Sequence, residues 1–331
     1  MNRLLLLSIL KRVLTLKIVV MMLTFNSKEY FKNGVLNALK EALDDYDYHL
    51  LVIDGGSYDG TIEEIHKEFG NKATVLVFKE RNLALCRNLA LEKAPKNADF
   101  YCWIDSDILI PKNFFSRLIP LFKDSSVGTA EIRALLRCEN KAFVPKYYKE
   151  LREAKKEGIK ESEGGATTCL IMRPEIAMRI KLDPRFKRAG EDVSLHYQIN
   201  EMGYKTLIDL NDPPALHVRK PTLIEELRRL IYRGEARALN LKIHSRVIRS
   251  RRLERAIMSS LLTLGSWLLL IYGLFLMFLP ALIPFVLLLV RHAFKLRKPW
   301  LLHLALIGLI LSTVYLIGFM KGFLKYWILK V

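Results

Sequence analysis

Two aspartates close an otherwise apolar stretch, "YCWIDSDILIP", Tyr101 to Pro111. Asp105 and Asp107 are two apart, and on an extended chain residues i and i+2 face the same side. Carboxylates held together repel, so one is driven towards protonation unless a cation or a hydrogen-bond donor compensates. A hard divalent ion, Mg²⁺ or Mn²⁺, resolves the conflict, because it takes oxygen ligands and leaves positions open for substrate phosphates. The bare spacing often arises by chance, and its plain alternative is two solvated loop residues ahead of Pro111. What distinguishes this pair is its place at a strand end alongside Asp54, which closes the similar run "YHLLVIDGGSYDGT".

The elements that must position these acids follow from hydrophobic patterning. "LKIVVMMLTFN" is a continuous apolar run that stops at Thr24, Asn26 and Ser27, and "YFKNGVLNALKEAL" then has helical spacing. The Asp54 run repeats the plan before the helical "TIEEIHKEF", and "ATVLVFKE", "LALCRNLALEKA" and "FYCWIDSD" supply a further strand, helix and strand. Apolar strands alternating with helices predict a mainly parallel, Rossmann-like α/β sheet covered on both faces. Ligands of such sheets bind beyond the carboxyl ends of the strands, where Asn26, Asp54 and Asp105 all fall. Further on, "AGEDVSLHYQINEMGYK" opens a helix at Glu191 and Asp192, where orphan N–H groups favour negative charge. His217 ends an apolar stretch after Pro213 and Pro214, and a lone histidine is more often structural than a ligand.

Taken in order, "LTFNS", "VIDGGSYDGT", "CRN", "WIDSDI", "AGEDVSLHYQINEMGYK" and "LHVRK" resemble the motifs of GT-A-fold glycosyltransferases, specifically the inverting family 2, over roughly Lys17 to Gly234. The resemblance implies that Thr24, Asn26 and Asp54 hold the nucleoside, with Asp54 receiving the base. Arg81 and Arg87 would lie near the nucleotide, and Asp105 would reach the ribose and the metal. Asp107 would be the main protein ligand of a Mg²⁺ or Mn²⁺ ion, with His217 a candidate second ligand. Asp192 would be the general base and Glu191 its support. Gly164, Gly165, Tyr232 and Arg233 would lie on the acceptor side. Gly55 stands where many relatives carry an acid, and Leu83 where they often have glycine.

The resemblance further implies a UDP- or GDP-sugar donor and a hydroxyl acceptor on a lipid-linked saccharide or nascent polysaccharide. The nearest rival is a polyprenyl-phosphate mannose or glucose synthase. Its anionic acceptor would need no base, which sets the Glu191 and Asp192 motif against it. A third reading, a non-catalytic nucleotide-sugar-binding scaffold, predicts loss of Asp107 or Asp192, and both are present. The Q-x-x-R-W motif of processive synthases is missing after the base, where only "RLIYRG" occurs, which argues for single-sugar addition.

The rest of the chain reads differently. Ala256 to Val290 and Trp300 to Met320 are uncharged runs, with His303 the one basic side chain among them. Each exceeds the roughly 20 helical residues that span a hydrocarbon core, so residues 256–331 predict two to three transmembrane helices. The first run overshoots, and "LPALIP" is where it could turn. Basic residues crowd into 219–255, ahead of the first run, with twelve Lys and Arg against four Asp and Glu, in a chain of net charge +18. That placement predicts basic amphipathic interfacial helices on anionic lipid rather than a nucleic-acid surface, because no aromatic stacking motif accompanies the basic run. Basic flanks on both sides predict a multi-pass protein of the plasma membrane with a cytoplasmic catalytic domain in residues 1–218. Residues 1–16 read as an amphipathic lead-in. Cys86, Cys102, Cys138 and Cys169 form no CxxC pair and predict buried free thiols in a reducing compartment.

Overall fold

The computed structural model describes residues 16–136, 157–162, 167–219, 222–244, 265, 287, 291 and 302–329. The chain divides into two compact units, Met1–Arg137 with Glu157–Arg219, and Cys138–Lys156 with Lys220–Val331.

The first unit is built on β1 (Lys17–Thr24), β2 (Asp47–Asp54), β3 (Ala73–Val77) and β4 (Phe100–Ile104). These strands pair in parallel in the order β3-β2-β1-β4. The run "KIVVMMLT" is buried almost throughout, as a strand covered on both faces requires. The crossovers carry α1 (Lys28–Lys32), α2 (Val35–Leu43), α3 (Thr61–Phe69) and α4 (Leu83–Lys93). Register puts Thr24 opposite Asp54, and Met21 opposite Trp103, so the loops after β1, β2 and β4 leave one edge together.

Beyond Asp105 come β5 (Ile108–Leu109), α5 (Phe114–Leu118), β6 (Val127–Ile132), β7 (Ala134–Leu136), β8 (Ile159–Glu161), β9 (Cys169–Met172), α6 (Pro174–Ala177), α7 (Glu191–Glu201), β10 (Lys205–Asp209) and β11 (Ala215–His217). The large sheet continues β4-β9-β6-β10-β8, with β9 antiparallel to both β4 and β6 and β8 antiparallel to β10. The fold is thus mixed α/β around a large central sheet that is parallel on the side of the first strands and mixed on the other. A second, small sheet has the order β5-β11-β7. Its register, His217 against Ile108, brings a residue from far along the chain beside Asp107. Gly128 on β6 has no room for a side chain, since a Cβ there would sit 2.5 Å from Ile176 and 2.6 Å from Tyr204.

The second unit contains α8 (Leu223–Ile243) and α9 (Leu302–Phe323). Thr222 and Glu225 form a reciprocal capping box that starts α8, each side chain bonding the other's backbone N–H. The two helices approach closely through glycines: a Cβ at Gly234 would meet the backbone of Tyr315, and one at Gly318 the backbone of Ile231. Glu235 is held between Lys321 and Lys325, at 3.2 and 3.1 Å.

The expected membrane crossings find no counterpart among the described residues, where no helix is long and apolar enough to span a bilayer. Most of 256–290 lies outside the described residues. The lead-in at 1–15, Cys138, Gly164, Gly165 and 245–255 are likewise outside the described residues. Cys86, Cys102 and Cys169 are free and buried, as expected.

Candidate active site

The loops at the carboxyl edge are stitched to one another before any ligand is considered. Asn26 has a left-handed backbone (φ 49°), a conformation few residues other than glycine adopt and asparagine tolerates best. It donates its N–H to Ser57 Oγ at 2.8 Å, and its Oδ1 accepts from Tyr58 N at 3.1 Å, so it ties the β1 loop to the β2 loop. Thr24 donates to Ser27 Oγ, which bonds Ser106 Oγ in the loop between the paired aspartates.

Asp54 is fully buried at the end of β2, where its Oδ1 accepts from the N–H groups of Gly56 and Ser57 and its Oδ2 from Ser57 Oγ at 2.6 Å. Gly56, at φ 89°, completes this turn. The sequence places Asp54 at the ligand edge, and the structure gives its carboxylate the task of shaping the loop. A cavity of about 470 Å³ opens beside it, a size suited to a nucleotide-sized ligand. Its walls include Thr24, Phe25, Gly55 and Arg81, with Lys187 and Arg188 as further cations. Arg81 stacks over the Phe25 ring at 4.5 Å. The two cations in "FKRAGED" escaped the sequence reading, although a basic pair separated from the acidic pair only by Ala189 and Gly190 was the available signal.

Asp105 and Asp107 have different surroundings. Asp105, whose N–H continues the β4–β9 ladder by donating to Thr168 O, faces Arg87 Nη2 at 3.5 Å. Desolvation pushes its carboxyl up to about 7 despite Arg87, with Asp107, Glu191 and Asp192 adding repulsion. Asp107 accepts from Val218 N through its carbonyl, and its Oδ2 lies 3.4 Å from His217 Nδ1 and 3.5 Å from Arg219 Nε. Burial alone would raise its pKa, but the hydrogen bond and charge of His217, joined by Arg219, hold it below the usual carboxylate value. Arg219 is a site residue that sequence reasoning missed within "LHVRK".

Among the described residues no group of three or more His, Cys, Asp or Glu side chains is arranged to hold an ion. Of the expected trio, Asp107 and His217 touch, while Asp105 turns to Arg87. One carboxylate and one imidazole fit a divalent ion that takes its remaining ligands from diphosphate and water. The unresolved repulsion at Asp105 is the kind a nearby cation relieves.

Gly190, left-handed at φ 89°, turns the chain into α7, so that Glu191 and Asp192 occupy its first turn. Glu191 is buried and 3.5 Å from Arg87 Nε, and its carboxyl is pushed up to about 7, first by burial and then by Asp192, against the pull of Arg87. Asp192 is only half-buried, with one oxygen accepting from Val193 N. Of the two acids it is the one solvent reaches. Tyr232 and Arg233 lie on α8, in the second unit.

Residues 19–172 match the model of glycosyl transferase family 2. That stretch, just under half of the chain, is similar to a glycosyltransferase family 2 domain. By that match the chain is an enzyme of the glycosyltransferase class. No curated protein is significantly similar to it. Among solved structures, the mannosyltransferase PcManGT from Pyrobaculum calidifontis, in complex with GDP-Man and Mn²⁺, is similar at TM-score 0.61 and 18% identity, over 93% of this chain and 87% of that one. TarS 1-349 of S. aureus, in complex with UDP-GlcNAc, is similar at TM-score 0.53 and 15% identity, over 92% and 91% of the two chains. At these identities the likeness is one of fold, and the fold is that of GT-A glycosyltransferases.

Proposed function

We propose that the glycosyltransferase moves one sugar, with inversion, from a nucleoside diphosphate to the hydroxyl of a membrane-associated acceptor, with a divalent ion bound at Asp107 and His217. The observation that carries this reading is the placing of Asp192, a half-buried carboxylate at the start of α7, whose neighbour Glu191 is linked through Arg87 to Asp105 at the donor edge.

In this reading the cavity lined by Thr24, Phe25 and Arg81 receives the nucleoside. Lys187 and Arg188 face the growing negative charge of the leaving diphosphate. A bound ion would supply further positive charge to that leaving group, held by Asp107, which His217 and Arg219 keep ionised. Asp192 takes the acceptor's hydroxyl proton as the oxygen bonds to the anomeric carbon, and the bond from that carbon to the phosphate oxygen breaks on the opposite face. The solved likenesses with GDP-Man and with UDP-GlcNAc support a nucleotide sugar as donor. The membrane acceptor, the cytoplasmic placing and the membrane crossings are supported by the uncharged runs 256–290 and 300–320 and the basic segment before them.

Asp192→Asn tests the reading. It is expected to keep nucleoside-diphosphate binding within about threefold while transfer to a hydroxyl acceptor falls by about 10²–10⁴. Unimpaired transfer to a hydroxyl would remove Asp192 as the base, and transfer to a polyprenyl phosphate alone would identify the phosphate-acceptor class instead.

A further inference from the structure

Arg87, expected near the nucleotide, is walled in. It is 4% exposed, lies 4.6 Å from the Trp103 ring, and is not among the residues lining the cavity that Arg81, Lys187 and Arg188 border. Its Nε faces Glu191 Oε1 and its Nη2 faces Asp105 Oδ1, both at 3.5 Å. One buried cation is therefore shared between the donor edge and the first turn of the helix that carries Asp192.

Neither contact is closed. Charge-assisted bonds of this kind settle at about 2.7–2.9 Å. Arg87 Nη1 and Glu191 Oε2 are also buried without a hydrogen-bond partner. Incompletely paired buried ions are costly, so the group gains from any event that lets Arg87 close fully on one partner. The backbones on either side are pinned. Asn82 caps α4 and donates to Pro184 O, and Asn88 exchanges two bonds with the backbone of Leu182. The side chain is the part free to choose.

We infer that Arg87 is a positioning residue that couples donor binding to the base helix: a nucleoside diphosphate and its ion engage Asp105, which releases Arg87 to close on Glu191 and fix the first turn of α7 with Asp192 facing the acceptor. The inference rests on the glycosyl-transfer reading above. It makes binding ordered, donor before acceptor, and involves no covalent step. Lysine cannot replace this arginine, since a single ammonium lacks the planar fork that reaches two carboxylates at once.

The test compares wild type with Arg87→Lys and, as a second variant that leaves the cation in place, Glu191→Gln, using the full chain with Mn²⁺ and GDP or UDP. Binding affinity is read by calorimetry and ordering of α7 by hydrogen exchange of the Asp192 to Ser194 amides. In wild type the nucleotide is expected to slow this exchange at least tenfold. In both variants affinity stays within about threefold, but the protection disappears. With sugar donor and acceptor, kcat falls 10- to 100-fold in both, and free guanidinium restores part of it in Arg87→Ala. Tenfold weaker nucleotide binding in Arg87→Lys with kcat unchanged would make Arg87 a phosphate ligand and overturn the coupling. So would wild-type binding without protection of α7. If neither nucleotide binds wild type, the functional reading itself fails and the coupling falls with it.

Discussion

Asp107 and Glu191 are carboxylates that the fold treats in opposite ways, and each makes a measurable claim. Asp107 is kept ionised by His217 and Arg219. Replacing Arg219 with alanine removes one of those charges, and nucleoside-diphosphate affinity in Mn²⁺ is expected to fall about 3- to 30-fold, measured by calorimetry. The affinity measured in EDTA is expected to change much less. Glu191 is pushed from 4.5 to about 7, so between those values the folded chain holds a proton that the unfolded chain has released. Stability therefore falls as pH rises from about 4.5 to about 7 and levels off above it. Thermal melts across that window are expected to show this slope in the ligand-free protein, with Asp105 contributing in the same direction, and Glu191→Gln to reduce it. An unchanged slope would place the proton on another group.

At the scale of elements, the site depends on how α7 and the small sheet begin and end. Gly190 enters α7 at φ 89°, where a Cβ costs about 1–2 kcal/mol. Gly190→Ala is expected to lower the thermal midpoint by a few degrees and to reduce kcat more than nucleotide affinity, because it moves Asp192 and leaves the donor edge alone. The β5–β11 pairing explains why His217 reaches Asp107: two short antiparallel strands put His217 opposite Ile108, and Val218 N then bonds Asp107 O. In the second unit, α8 and α9 meet where a Cβ at Gly318 would strike the backbone of Ile231. Gly318→Leu is expected to destabilise that helix pair by about 1–3 kcal/mol or more, read as a lower unfolding midpoint. No loss of stability would mean that the helices part without cost.

For the whole molecule, a net charge of +18 outweighs any single pair. If anionic lipid is its partner, binding to vesicles containing acidic phospholipid should weaken strongly between about 0.1 and about 1 M salt, as the screening length shrinks from about 10 to about 3 Å. Vesicles of neutral lipid report the apolar contribution alone. Equal binding to both, insensitive to salt, would remove the electrostatic part of the membrane reading.

The sequence alone determined the alternation of buried strands and helices, and with it the edge where Thr24, Asn26, Asp54 and Asp105 gather, because continuous apolar runs have no other way to be covered on both faces. It also determined that Glu191 and Asp192 open a helix. Which of the two acids meets solvent was not legible, since adjacent residues on a helix point in different directions and only packing selects one for burial. Nor was the division of labour at the edge. Asp54 spends its oxygens on its own turn, Arg87 is drawn under Trp103 between two carboxylates, and Arg219 comes to Asp107 through a strand pairing. Those outcomes depend on contacts between residues far apart in the chain, and they are set by register and burial, which no local pattern encodes.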